Sequence, residues 1–94
     1  MEKAVLDLTG CGSLPEMHER IKTALVFPDY YGRNWDAFWD CLVYESSVDQ
    51  VEIHGEHTLP EELGPSLEKM HRMLRKVNEK RAEMGWRLDF VILD

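Results

Sequence analysis

The chain has 94 residues, of which 18 are acidic and 11 are basic, so its formal net charge is −7 at pH 7. A chain of this length predicts a single domain, residues 1–94, because it has no room for a second hydrophobic core. The negative charge argues against direct binding of nucleic acid and favours a basic protein as the partner.

The amino-terminal sequence predicts neither an export signal nor a membrane anchor. MEKAVLDLTG lacks a basic segment followed by a long apolar run, and no stretch reaches the roughly 18 apolar residues that span a bilayer. We therefore expect a cytoplasmic protein that does not insert into membranes. Cys11 and Cys41 are expected to be reduced, because disulfides are rare in that compartment.

The first half of the chain predicts one strand and two helices. Residues 3–8 form a short apolar run that ends at a Thr-Gly pair, which is typical of a buried strand. Ser13 and Glu16 form an S-x-x-E capping box that begins a helix. After a turn bracketed by proline and glycine, Asn34 is a good N-cap for a second helix through about Tyr44.

The second half predicts two more strands around a long helix. Residues 50–55 alternate apolar and polar side chains, and residues 88–93 form a dense apolar run. Between them, LPEEL predicts a short helical turn, and the long helix that follows ends before Gly85. Its methionines are expected to fill the core. The apolar face of this helix is expected to consist of Leu67, Met70, Leu74, Val77 and Met84.

Helices placed between strands at these spacings favour right-handed crossover connections and parallel strands. Three short strands cannot form a core alone, so the helices must pack on the sheet. The predicted fold class is therefore α/β, with a three-stranded parallel sheet packed against helices.

The second helix is unusually apolar, since eight of residues 35–44 are apolar and the other two are Asp36 and Asp40. A helical wheel allows two orientations. In the first, the core stripe consists of Trp35, Phe38, Trp39 and Leu42. In the second, Ala37, Phe38, Cys41 and Leu42 face the sheet, and the outer face holds Trp35, Asp36, Trp39, Asp40 and Val43. Periodicity alone favours the first, but the apolar arc is wider than one core contact needs, which predicts a partner-binding surface.

One segment resembles a known family signature. It comprises Pro28-Asp29-Tyr30-Tyr31-Gly32, Asn34, Asp36-Ala37 and Trp39-Asp40-Cys41-Leu42. This run resembles the barstar family, which are intracellular inhibitors of barnase-type ribonucleases, and the order of predicted elements is similar over most of the chain. The resemblance implies a barstar-like α/β fold and the second orientation of the helix.

The resemblance also implies a mode of action. Asp40 would enter the phosphate pocket of a ribonuclease and Asp36 would meet a basic residue at its border, since carboxylates can replace phosphate among arginine and lysine side chains. The implied partner is a basic secreted ribonuclease or a related toxin, bound by a chain that is monomeric when free. The expected partner-binding residues are Tyr30, Tyr31, Gly32, Asn34, Trp35, Asp36, Trp39, Asp40, Val43, Glu79 and Glu83.

Some positions leave alternatives open. Glu79 and Glu83 lie one helical turn apart, and they also fit an ordinary solvated helix face. Residue 35 is a tryptophan where the prototype has a smaller aliphatic residue, and residues 43–46 also depart from the prototype. Because residues at the rim of an interface set specificity, the target can differ from barnase. The alternative function is an acidic module that docks a different basic protein or toxin.

The sequence gives little support for an enzyme, a metal site or a cofactor. Asp36 and Asp40 would lie on a convex helix surface, whereas catalysis needs a concave pocket. The H-x-x-H pair of His54 and His57, with Glu56 between them, is weak evidence for a metal. Cys41 lacks an evident base, and a neighbouring carboxylate would raise its pKa. These histidines, together with His18 and His71, are expected to be surface residues.

Overall fold

A computed structural model describes residues 2–93 and contains one sheet of three strands. The strands are β1 (Lys3–Asp7), β2 (Gln50–His54) and β3 (Asp89–Leu93), and β2 lies in the centre. Both neighbouring pairs are parallel. The predicted three-stranded parallel sheet and the α/β fold class are therefore confirmed.

Three α-helices connect the strands. They are α1 (Leu14–Ala24), α2 (Trp35–Asp40) and α3 (Gly64–Glu83). A π-helical turn, Cys41–Glu45, continues α2, and two short 3₁₀ turns, Glu56–Thr58 and Glu61–Leu63, precede α3. Helix α1 begins where the capping box predicted, because the Ser13 side chain accepts a hydrogen bond from the backbone N–H of Glu16.

The helices cover one face of the sheet. Ala4 and Leu6 of β1 and Val51 and Ile53 of β2 are buried, while the intervening residues are partly or fully exposed. This alternation follows from the opposite directions of successive side chains in a strand. The apolar faces of α1, α2 and α3 complete the core on that side.

The apolar face of α3 differs from the prediction at its carboxyl end. Met84 was expected to be buried, but it follows the last residue of the helix and is 42% exposed. Arg81 takes the buried position instead and is only 2% exposed. The spacing of Met70, Leu74 and Val77 continues to residue 81, so the helical period itself points to Arg81.

His18 also differs from the prediction, because it is a core residue and not a surface residue. Its side chain is 2% exposed and lies on the buried stripe of α1 between Met17 and Ile21. His71 is partly buried and its Nε2 atom lies 2.7 Å from a Glu56 carboxylate oxygen. Within residues 2–93, no helix is both long and apolar enough to cross a membrane.

Candidate protein-binding site

Helix α2 is seated with its acidic side toward solvent. Asn34 caps the helix, because its side-chain oxygen accepts a hydrogen bond of 2.7 Å from the backbone N–H of Ala37. Phe38 is buried with 1% of its surface exposed, whereas Asp36 and Asp40 are exposed. Cys41 and Leu42 are also buried, so the second orientation is confirmed for its inward residues Phe38, Cys41 and Leu42 and for the two outward acids.

The two tryptophans of α2 are partly buried and lie at the border between core and surface. The Trp35 ring packs 4.6 Å from the His18 ring and 5.3 Å from the Phe38 ring, measured between centroids. The Trp35 ring is thus held in place by its contacts with these two core residues. Trp39 also packs against the core while part of its surface remains accessible.

The two tyrosines before α2 differ sharply in exposure. Tyr30 is 72% exposed, whereas Tyr31 is 2% exposed. The Tyr31 hydroxyl lies 2.7 Å from Nδ1 of His18, and burial raises the pKa of Tyr31 well above its usual value. The Tyr31 side chain is therefore part of the core, and contact between Tyr31 and a partner remains a proposal.

Gly32 and Asn34 shape the loop that carries Tyr30. The Asn34 side-chain amide donates a hydrogen bond of 3.1 Å to the Gly32 carbonyl, and both residues are exposed. A Cβ atom on Gly32 would lie only 3.1 Å from that amide nitrogen. A side chain at position 32 would therefore require the Asn34 amide to shift by a few tenths of an ångström.

The π-helical turn changes which residues follow Asp40 on the surface. The backbone N–H of Ser46 donates to the carbonyl of Cys41, a bond of 2.8 Å that closes a wider turn than an α-helix does. Val43 is fully buried, so its expected place on the outer face is wrong. Tyr44 and Glu45 are exposed instead.

A cavity of about 390 Å³ lies between the Tyr30 loop, α2 and the π-helical turn. Its wall combines three tyrosines, two carboxylates and small residues, and is lined by Tyr30, Tyr31, Gly32, Ala37, Asp40, Cys41, Tyr44 and Glu45. No lysine, arginine or histidine is among the lining residues within the described part of the chain. The cavity therefore offers a negatively charged and aromatic surface.

Glu45 connects the parts of this cavity. Its carboxylate accepts a hydrogen bond from the Tyr30 hydroxyl and another, 3.4 Å long, from the Cys41 thiol. The first bond raises the pKa of Tyr30, because a phenolate would lose it and be repelled by Glu45. Burial, with smaller contributions from Glu45 and Asp40, raises the pKa of the Cys41 thiol to about 11. Cys41 is therefore a protonated structural residue at neutral pH.

Basic residues near the site are engaged with other acids. Arg33 pairs with Glu19 of α1, and Lys22 lies 3.6 Å from Asp29. Neither of these two basic residues is therefore paired with Asp40 or Glu45 of the cavity wall.

Glu79 and Glu83 lie on α3, which packs against α2 and the π-helical turn. Both side chains are exposed, and Glu83 forms an ion pair of 3.6 Å with Lys80. Their contacts are those of an ordinary solvated helix face. A role of Glu79 and Glu83 in partner binding remains a proposal.

Sequence reasoning missed Tyr44 and Glu45 as members of the site. A regular helix would place Val43 outward, and nothing in the local pattern required an i→i+5 turn. The available signal was three consecutive apolar residues, Cys41-Leu42-Val43, because a regular α-helix cannot direct all three toward one core.

Comparison with known proteins identifies the family. The family model described as Barstar (barnase inhibitor) matches residues 1–92. The chain is also similar to the Bacillus subtilis (strain 168) protein named "Putative ribonuclease inhibitor YrdF", with 48% identity over 42 residues. That match spans 45% of this chain and 46% of the relative, so it covers less than half the length of either protein. The match over residues 1–92 establishes that the chain belongs to the barstar family.

Proposed function

We propose that this protein is a cytoplasmic inhibitor of a basic, barnase-type ribonuclease and is not itself an enzyme. The observation that carries the proposal is the cavity wall, where Asp40 and Glu45 lie beside the exposed Tyr30 and Tyr44 and no lining residue among residues 2–93 is basic. Family membership supports the same partner class.

Inhibition would result from occupation of the catalytic pocket. A ribonuclease binds phosphate through cationic side chains, and a carboxylate is a suitable replacement because it accepts charge-assisted hydrogen bonds. Asp40 is exposed on α2 and would enter that pocket, while Asp36, one turn earlier, would contact a cation at its edge. Tyr30 and Trp39 would cover apolar surface around the charges and exclude water.

A second candidate is an inhibitor of a different basic protein or toxin. It is favoured by Tyr44 and Glu45, which the π-helical turn exposes beside Asp40 at positions where the chain departs from the family prototype. Residues beside a central charge discriminate between partners, because an unmatched side chain there weakens binding to the wrong one.

The test is affinity purification from the source organism, with the tagged chain as bait and its Asp40→Ala variant as the matched control. A basic ribonuclease retained by the parent and lost from the variant, whose activity the purified parent inhibits, is the expected result. A partner without nuclease activity would support the second candidate. Equal recovery of all proteins by parent and variant would contradict both.

A further inference from the structure

A second cavity lies at the end of the molecule where β2 and β3 begin. Its volume is about 380 Å³ and its lining residues are Ser47, Asp49, Arg81, Gly85, Trp86 and Arg87. None of these residues lines the Tyr30 cavity. The two cavities are therefore separate, and ligand binding at the second would not depend on the proposed inhibitory function.

The inner wall of this cavity contains a buried cation. Arg81 is 2% exposed, and its Nη1 atom donates a hydrogen bond of 2.7 Å to the carbonyl of Val48. Its Nε atom is buried and has no hydrogen-bond partner among the described residues. None of the ion pairs formed within residues 2–93 includes Arg81.

Such a guanidinium is unfavourable without a counter-charge, because burial removes the hydration of the cation. Desolvation lowers the pKa of Arg81, and the charge of Asp49 opposes this change only in part. An anion at the cavity wall would compensate the buried charge.

Trp86 provides an aromatic surface beside the cation. The Arg81 guanidinium carbon lies 5.7 Å from the centroid of the Trp86 ring, and 53% of the Trp86 surface is exposed. The backbone N–H of Trp86 donates to the Arg81 carbonyl at 2.7 Å, which holds the two residues together. Arg87 follows directly and adds a second, exposed cation to the lining.

The polar groups opposite are already bound within the chain. Oδ1 of Asp49 accepts a hydrogen bond of 3.0 Å from the backbone N–H of Glu2, and the Ser47 hydroxyl donates one of 2.6 Å to the Glu2 carboxylate. The Asp49 carboxylate is therefore bound to the Glu2 backbone, and the Glu2 carboxylate is bound to Ser47. Neither acid forms an ion pair with the buried Arg81 guanidinium.

We propose that this cavity binds a small planar anion, meaning an aromatic ring that carries a carboxylate or a phosphate. The ring would stack on Trp86, as rings and bases do on exposed indoles, and the anionic group would contact Arg87 and Arg81. An aromatic carboxylate and a nucleotide share this chemistry, and the experiment separates them.

The experiment titrates the ¹⁵N-labelled chain and follows the Trp86 indole N–H and the Arg81 Nε–H by NMR. The probes are adenosine monophosphate, adenosine, benzoate and inorganic phosphate. We expect saturable shifts of both resonances with an aromatic anion, and binding at least about tenfold weaker for adenosine and for phosphate alone. Saturation by adenosine monophosphate alone identifies a nucleotide site, and saturation by benzoate identifies a carboxylate site.

Arg87→Ala is the diagnostic variant, because Arg87 is exposed and its loss should leave the fold intact. It should weaken binding of the preferred probe at least about fivefold, since one charged contact is removed. Arg75→Ala, an exposed arginine on α3 outside the cavity lining, is the matched control and should bind as the parent does. The proposal is overturned if no probe saturates by millimolar concentration, if Arg87→Ala binds normally, or if the Arg81 Nε–H contacts only a bound water that no probe displaces.

Discussion

The Tyr30 hydroxyl donates a hydrogen bond to the carboxylate of Glu45, fifteen residues further along the chain. The bond joins the loop before α2 to the π-helical turn after it, and both residues line the acidic cavity. A highly exposed tyrosine thereby has a defined position before any partner arrives, which reduces the entropy cost of ordering it on binding.

Glu45→Gln should lower the pKa of Tyr30 toward its ordinary value. Glutamine can still accept the hydrogen bond, but it does not repel the phenolate, so the charge contribution is removed. The measurement is a pH titration of the Tyr30 ring carbon attached to oxygen, followed by ¹³C NMR. Glu68→Gln, an exposed change on α3, is the control and should leave the titration unaltered. Identical Tyr30 curves for the parent and Glu45→Gln would contradict the bond.

Acidification should destabilise the fold through His18. Burial lowers the pKa of this imidazole in the folded state below the value near 6.5 that the unfolded chain retains. The unfolded chain therefore binds the proton first, so the stabilisation is complete above about pH 6.5 and is lost as the pH falls toward the folded-state pKa. The slope of the unfolding free energy is at most about 1.4 kcal/mol per pH unit for one proton.

Urea denaturation of the parent and of two variants between pH 5 and pH 8 tests this assignment. His18→Gln should remove this contribution to the slope. Tyr31→Phe should retain the slope, because burial and not the hydroxyl lowers the pKa, while losing about 1 kcal/mol of stability throughout for the missing hydrogen bond. An unchanged slope in His18→Gln would assign the titration to another group.

Much of the fold could be predicted because local signals agreed with the packing. Ser13 and Asn34 cap helices where their side chains predicted, and the alternation in β2 matches its buried face. His18 and Arg81 were missed because polarity was given more weight than position. Each lies on the apolar stripe of its helix, and each is stabilised by a long-range contact, with Tyr31 or with the Val48 carbonyl, that periodicity does not reveal.

The exposed acids of the candidate site could be predicted from the sequence, but the residues at its border could not. The exposure of Asp36 and Asp40 follows from a regular helix whose orientation the family resemblance supplied. Val43 is buried because an i→i+5 hydrogen bond widens the helical turn at this point. The wider turn lets three successive apolar residues, 41–43, pack against the core, and local sequence does not reveal it. The exposure of Tyr44 and Glu45 follows from that same turn.

Gly55→Ala should destabilise the fold strongly. Gly55 follows β2 with a φ of +80°, and an added Cβ atom would lie 2.3 Å from the Thr9 hydroxyl oxygen and 2.5 Å from the Thr9 backbone nitrogen. Thr9 cannot retreat freely, because its N–H is bound to Asp7. We expect a loss of roughly 2–4 kcal/mol in unfolding free energy, measured by denaturant titration.

Gly10→Ala is the matched control for this variant. Gly10 has a similar φ of +75°, but an added Cβ atom would meet nothing within 4 Å. The unfolding free energy of Gly10→Ala should therefore fall only by the cost of holding alanine at a positive φ, about 1–2 kcal/mol. Equal losses in the two variants would show that the steric contact with Thr9 is relieved without cost.

Asp40→Ala should abolish tight binding to the proposed ribonuclease partner while leaving the fold intact. Asp40 is exposed on α2, so its loss should change the unfolding free energy by no more than about 0.5 kcal/mol. In the complex its removal would leave cations buried without a counter-charge. The affinity should fall at least about 30-fold, or ~2 kcal/mol, a magnitude whose general basis includes the barnase–barstar complex itself.

Two further variants rank the acids of the surface, with Glu68→Ala as an exposed control expected to bind normally. Asp36→Ala should weaken binding less than Asp40→Ala, because Asp36 is proposed to contact only the edge of the ribonuclease pocket. Glu83→Ala should mainly slow association and reduce its dependence on salt, since an exposed border charge acts through long-range attraction. Dissociation constants and association rates at two salt concentrations, together with denaturant midpoints, separate binding from folding. If Asp40→Ala binds the ribonuclease as tightly as the parent, the carboxylate does not replace a phosphate and the acids are ordinary surface charges.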